Sequence, residues 1–140
     1  MRKNIILFLI AIVAYIFVDV CYNLTIGMSI DLYFYEQADI IDIYTMSSNA
    51  IILFLIFFLI IALGNLVLVI KPAISKKSLS DALIKGFLLG IVAYATFALP
   101  SAWSIQKYPQ TLALIHILGG GIFSLFTSVV TTFIGLKIYK

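Results

Sequence analysis

The run AIILFLIFFLIIALGNLVLVI, residues 50–70, decides the fold. It carries no charged side chain, and Asn65 is its one strongly polar residue. A helix rises 1.5 Å per residue, so about 20 apolar residues cross the ~30 Å hydrocarbon core of a bilayer. Working outward, three more stretches have this character. Residues 5–26 are apolar except at Asp19 and Asn23. Residues 83–102 contain Gly86, Gly90 and Pro100, and residues 111–136 contain His116, the Gly119-Gly120-Gly121 run and several Ser and Thr. Backbone groups in lipid must bond within their own segment, which for continuous apolar runs means helices. Alternation of the kind barrel strands need is absent. The expected fold is an all-α integral membrane protein, one membrane domain over residues 1–140 built as a four-transmembrane-helix bundle.

Composition excludes the other classes. Hydrophobic residues make up 64% of the chain and charged ones 11%, with a mean hydropathy of +1.19. Soluble domains average roughly 45–50% apolar and about 25% charged, so neither a soluble globule nor a disordered chain fits. One cysteine, Cys21, forms no intramolecular disulfide, and with a single His it makes no zinc site. No spacing or phosphate loop implies a metal or cofactor. The net charge of +3 includes no basic cluster interleaved with aromatics, which argues against nucleic acid and leaves the lipid bilayer as the expected partner.

Arg2 and Lys3 ahead of an apolar run resemble the opening of a secretory signal. The run is longer than a signal's apolar region, and Asp19 stands where small cleavage-site residues belong, so the segment reads as a retained span. Eight of the nine Lys and Arg (Arg2, Lys3, Lys71, Lys76, Lys77, Lys85, Lys137 and Lys140) fall on one side of this topology, against Lys107 on the other. The positive-inside rule then predicts both termini and the 71–85 loop in the cytoplasm.

The first loop carries Asp31, Glu36, Asp39 and Asp42 on one helical arc. Ile30, Tyr33, Phe34, Ala38, Ile40, Ile41 and Tyr44 lie on the opposite arc, with Leu32, Tyr35 and Ile43 as exceptions. Two readings stay open: a short amphipathic helix on the outer surface, or an extension of the first span. In the second loop Pro72 should stop the second helix, and Ser78 or Ser80 should cap the third with Asp81 in its first turn. Gly86 and Gly90 form a GxxxG pattern. Gly120, Ser124 and Ser128 continue from His116 at four-residue steps, and Thr131 and Gly135 follow. Both seams suit close helix packing, within the chain or between copies.

Ionisable groups inside spans are costly, by about 2.5–3.5 kcal/mol at the centre on insertion scales, and so mark candidate sites. Asp19 lies ~10 Å and His116 ~8 Å from the outer ends of their spans by the helical rise. A contact between them is geometrically reasonable. Tyr15, Tyr22 and Asn23 sit three or four residues from Asp19, and Tyr94 lies near mid-membrane on the third span. A carboxylate beside an imidazole can relay protons. The structural alternative is that both groups merely hydrogen-bond between helices; Asn65 reads as such a packing bond, and Cys21 as an inert thiol.

Several motifs run along nearly the whole chain. They include Phe17-Val18-Asp19, Phe34-Tyr35, Val69-Ile70-Lys71-Pro72-Ala73, the third span Lys85-Gly86-Phe87-Leu88-Leu89-Gly90-Ile91-Val92-Ala93-Tyr94-Ala95-Thr96-Phe97, Tyr108-Pro109 and Gly120. In these the chain resembles a family of small bacterial and archaeal membrane proteins, domain of unknown function 2177. The resemblance implies a prokaryotic inner membrane. It also implies aspartates after the third-span Tyr-x-Thr and before the fourth-span glycine, where this chain has Ala98-Leu99-Pro100-Ser101 and His116. That family carries no established activity.

The favoured expectation is transport or permeation of a small solute or proton. Four helices enclose little volume, so a homo-oligomer is expected, with Asp19, His116, Tyr15, Tyr22, Asn23 and Tyr94 as the polar site. A non-catalytic accessory subunit is the alternative. A lipid- or quinone-modifying enzyme stands lower, because no nucleophile–base–orienter set is legible and no catalytic residue is assigned.

Overall fold

Each apolar run folds as a helix that overshoots it at one or both ends. The computed structural model describes residues 2–38 and 48–139. Helix α1 is Arg2–Tyr22; it passes without a break through a π-helical turn, Asn23–Gly27, into α2, Met28–Gln37. The three form one 36-residue helix, Arg2–Gln37. Helix α3, Ser48–Asn65, passes through a second π-helical turn, Leu66–Ile70, into α4, Lys71–Ser75. Helix α5 is Leu79–Ser104 and α6 is Gln110–Ile138. No strand occurs among the described residues. Arg2–Gln37, Ile51–Ser75, Leu79–Ser104 and Gln110–Ile138 are each long and apolar enough to cross a bilayer. The chain is an integral membrane protein built on four such helices.

Three local expectations are revised or resolved. The first loop begins as an extension of the first span, since Met28–Gln37 continues the helix. The remainder of the amphipathic pattern, Asp39 to Tyr44, lies outside the described residues. Pro72 does not end the second helix. It occupies the first turn of α4, directly after the wide Leu66–Ile70 turn, where Lys71 N–H reaches back five residues to Leu66 O. A π turn relieves the clash and the missing donor that make proline break an α-helix. The α4–α5 turn is consequently only Lys76 to Ser78, with Lys77 at φ 52°. Ser78 caps α5, its Oγ accepting from Asp81 N–H at 3.1 Å. Asp81 also bridges Lys76 at 3.3 Å and Lys85 at 2.9 Å.

Helix α6 is central. It runs antiparallel to α5 beyond a turn in which Lys107 takes φ 67°, and it also packs on α1, which in turn carries α3. Its buried face is small and weakly polar: Gly120, Gly121, Ser124, Thr127, Ser128, Thr131, Thr132 and Gly135. Ile122, Phe126 and Phe133 are exposed on its other side, where a membrane protein meets lipid. At Gly90 a Cβ would run into the Gly120 carbonyl, and at Gly120 into the Tyr94 ring. Only glycine lets the two backbones approach this closely. Gly86 lies against Ser128 in the same interface.

The core divides along the axis. Toward the lysine-rich end, Leu7, Ala11, Tyr15, Phe58, Ile61, Ala62, Leu66 and Ile70 form one buried cluster. At the opposite end Ala98, Tyr108, Leu112 and Ala113 form another, against which Ile30, Phe34 and Tyr35 of α2 pack. Trp103, 89% exposed at the end of α5, and the exposed Tyr139 past α6 occupy opposite ends of the bundle, positions typical of interfacial aromatics.

Candidate functional site

Two polar assemblies are built on α1 and α6. The first is closed. Tyr15 Oη donates to Ser124 Oγ at 2.7 Å and accepts from Asn65 Nδ2 at 2.8 Å. Asn65 Oδ1 accepts from Ser128 Oγ at 2.8 Å. Ser128 Oγ also lies 2.6 Å from the Ser124 carbonyl. Asn65, Ser124 and Ser128 are fully buried and Tyr15 nearly so. This network ties α1, α3 and α6 together, and Asn65 is its hub.

The second assembly is an open cavity of about 180 Å³ nearer the α2 end. Asp19, Tyr22 and Asn23 line it from one helix, Asp31 from α2, Tyr94 and Phe97 from α5, and His116, Gly120 and Phe123 from α6. His116 Nε2 lies 3.0 Å from Asp31 Oδ1, both side chains about one-fifth exposed. Asp19 is held by its own helix: Asn23 Nδ2 donates to Asp19 Oδ2 at 3.2 Å and to the Asp19 carbonyl at 2.9 Å. Tyr22 and Tyr94 each meet Phe123 edge-on, with ring centroids 5.2 and 6.3 Å apart.

Of the residues singled out in the sequence, Asp19, Tyr22, Asn23, Tyr94 and His116 share this cavity, with Gly120 in its wall. Tyr15 leaves them and joins the Asn65 network. The carboxylate on His116 is Asp31; the Asp19 carboxylate bonds Asn23 instead.

The geometry of α1 and α2 explains why Asp31 reaches the cavity. Twelve residues of regular α-helix turn through three and a third turns, which would set Asp31 about 120° away from Asp19. A π turn absorbs one extra residue, leaving an offset of about 20°. Asp19, Asn23, Gly27 and Asp31 therefore stand one above the next, and the buried Gly27 has the Tyr22 ring where a Cβ would go. A four-residue repeat carried through the supposed loop is the signal that would have found Asp31. The acid belongs to the bundle face, beside Ile30, Phe34 and Tyr35, although its charge alone suggests the solvent arc.

The turn after α5 packs against α2 through Tyr108. Tyr108 is buried there, its ring 6.3 Å from that of Tyr35, and burial pushes its phenol above the ordinary value. Chemically, the cavity can bind or pass on a proton or hold a small cation. Among the described residues no three His, Cys, Asp or Glu side chains are arranged to hold a metal ion.

The family model described as "Predicted membrane protein (DUF2177)" matches residues 4–133. No curated protein and no solved structure matches the chain significantly.

Proposed function

We propose that this chain, which belongs to the DUF2177 family of predicted membrane proteins, moves a small solute or a proton across its membrane by way of the Asp19–Asp31–His116 cavity. One observation carries the reading: two carboxylates and an imidazole, from α1, α2 and α6, converge on one cavity within a bundle of membrane-spanning helices. Each such group costs several kcal/mol to hold at depth, so three together imply use. The cavity stops above the buried Asn65 network, so a through-path needs either movement of the helices or a second copy. A homo-oligomer supplies the latter. By the positive-inside rule the cavity end faces outward and both termini face the cytoplasm.

Flux into proteoliposomes tests the proposal, with proton entry read by an internal pH dye and methylammonium entry by tracer. Asp19→Asn should cut the flux at least tenfold while leaving elution volume and thermal stability unchanged. Equal flux in the variant, or none in the native chain, overturns it. Native mass in mild detergent reads the oligomer. For orientation, single cysteines at the exposed Ser75 and Gln106, in a Cys21→Ser background, should label from opposite sides of the membrane, Gln106→Cys from outside.

A further inference from the structure

We infer that the cavity is a receptor site for a small organic ammonium group, with Asp19 as its counter-charge and Tyr22, Tyr94, Phe97 and Phe123 as its walls. The inference rests on reading this cavity as the protein's functional site.

Charge is the first argument. Among the described residues that line the cavity there is no Lys or Arg. If His116 is protonated it balances Asp31 and leaves Asp19 in excess; if it is neutral, two carboxylates are in excess. With both carboxylates ionised, the net charge of the lining is negative in both states. Asn23 engages Oδ2 of Asp19, and Oδ1 accepts no hydrogen bond from the described residues. A carboxylate at this depth without a cationic partner calls for one.

The walls decide which cation. Four of the lining side chains are aromatic, and Tyr22, Phe123 and Tyr94 form a continuous edge-to-face row. Aromatic faces attract ammonium groups, above all alkylated ones, and contribute nothing to a bound proton. A divalent ion would ask for several hard oxygen ligands, and among the described residues no three acidic or histidine groups are arranged to supply them. The Tyr94 hydroxyl, which makes no hydrogen bond among the described residues, adds an acceptor in the same wall. About 180 Å³ corresponds to roughly six waters, room for an ammonium head with a few carbons.

Such a group can come from a free amine or from a lipid headgroup, and the experiment separates the two. The full chain is placed in nanodiscs of phosphatidylglycerol, which carries no ammonium, and titrated with tetramethylammonium while thermal stability and tyrosine fluorescence are followed. Saturable binding is expected, undiminished by equimolar potassium. Asp19→Asn should weaken it at least tenfold. Phe97→Leu, at an exposed side chain whose loss leaves the bundle intact, should weaken it about threefold. Adding phosphatidylcholine to the disc should abolish the signal if the site takes headgroups and leave it unchanged if it takes free amines. No saturable binding by the native chain, displacement by potassium, or full binding in both variants overturns the inference. If proton flux still depends on Asp19 in that event, the permeation reading survives and only the ammonium assignment falls. Binding with the expected dependences but no flux of any tested ion leaves the receptor site standing and removes transport.

Discussion

The Asn65 network and the Asp19 cavity use the same two helices, lie next to each other along α6, and differ in one respect. In the network, hydroxyls and an amide bond one another, and the groups are sealed from solvent. In the cavity, charged groups outnumber their partners and the space between them stays open. Satisfied polar groups at membrane depth hold helices together, whereas groups left with unmet charge await something that is not part of the chain. The boundary between the two regimes is Gly120, which supports the Tyr94 ring on the cavity side and abuts α5 through Gly90.

The harshest way to break the distinction is to force α5 and α6 apart. Gly90→Leu drives a side chain into the Gly120 carbonyl and should destabilise the bundle by about 3 kcal/mol, the upper end for overpacking. Scanning fluorimetry in detergent should show both regions lost in a single lowered transition; a native-like transition would mean that the backbones do not touch. Next in size is Asn65→Ala, which removes its bonds to Tyr15 and Ser128 and leaves the Ser128 hydroxyl only the Ser124 carbonyl. A loss of about 1–2 kcal/mol is expected, with flux per folded molecule unchanged. Reduced flux at unchanged stability would move Asn65 from the framework into the pathway. The smallest effect sharpens the cavity itself. A double-mutant cycle of Asp31→Asn and His116→Gln, read as thermal stability at pH 6, should give coupling of about 1 kcal/mol. The same cycle with Asp19→Asn should be additive within about 0.5 kcal/mol. Reversed couplings would reassign the imidazole's partner to Asp19.

Much of this was legible from residue types and spacing. Uninterrupted apolar runs of about 20 residues have one solution in a bilayer, so the four helices follow from hydropathy alone. Close packing around Gly90 and Gly120 was readable because small residues recur at four-residue steps. The sequence was less informative wherever the helix departs from 3.6 residues per turn. At Pro72 the expected stop did not occur, since Leu66–Ile70 widens before the proline arrives. Asp31 shares a helical arc with Glu36 in the sequence pattern, which does not reveal that the π turn brings it onto the column of Asp19. Tyr15 was grouped with Asp19 by proximity in sequence, yet it lies a turn deeper, level with Asn65. Hydropathy reports what a segment dissolves in, and it is silent on which neighbour each side chain faces.

The Asn23–Gly27 turn makes the cavity depend on residue number as well as residue identity. One extra residue in that turn is what swings Asp31 round to the column that holds Asp19. Substitutions at exposed positions there, such as Leu24 or Ile26, leave the count intact and should be tolerated. Deleting any single residue between Asn23 and Gly27 would rotate everything after it by about 100°, carrying Asp31 off His116 without altering a functional side chain. Across related chains, the exposed positions between Asn23 and Gly27 should therefore drift in composition while the length of the segment stays fixed.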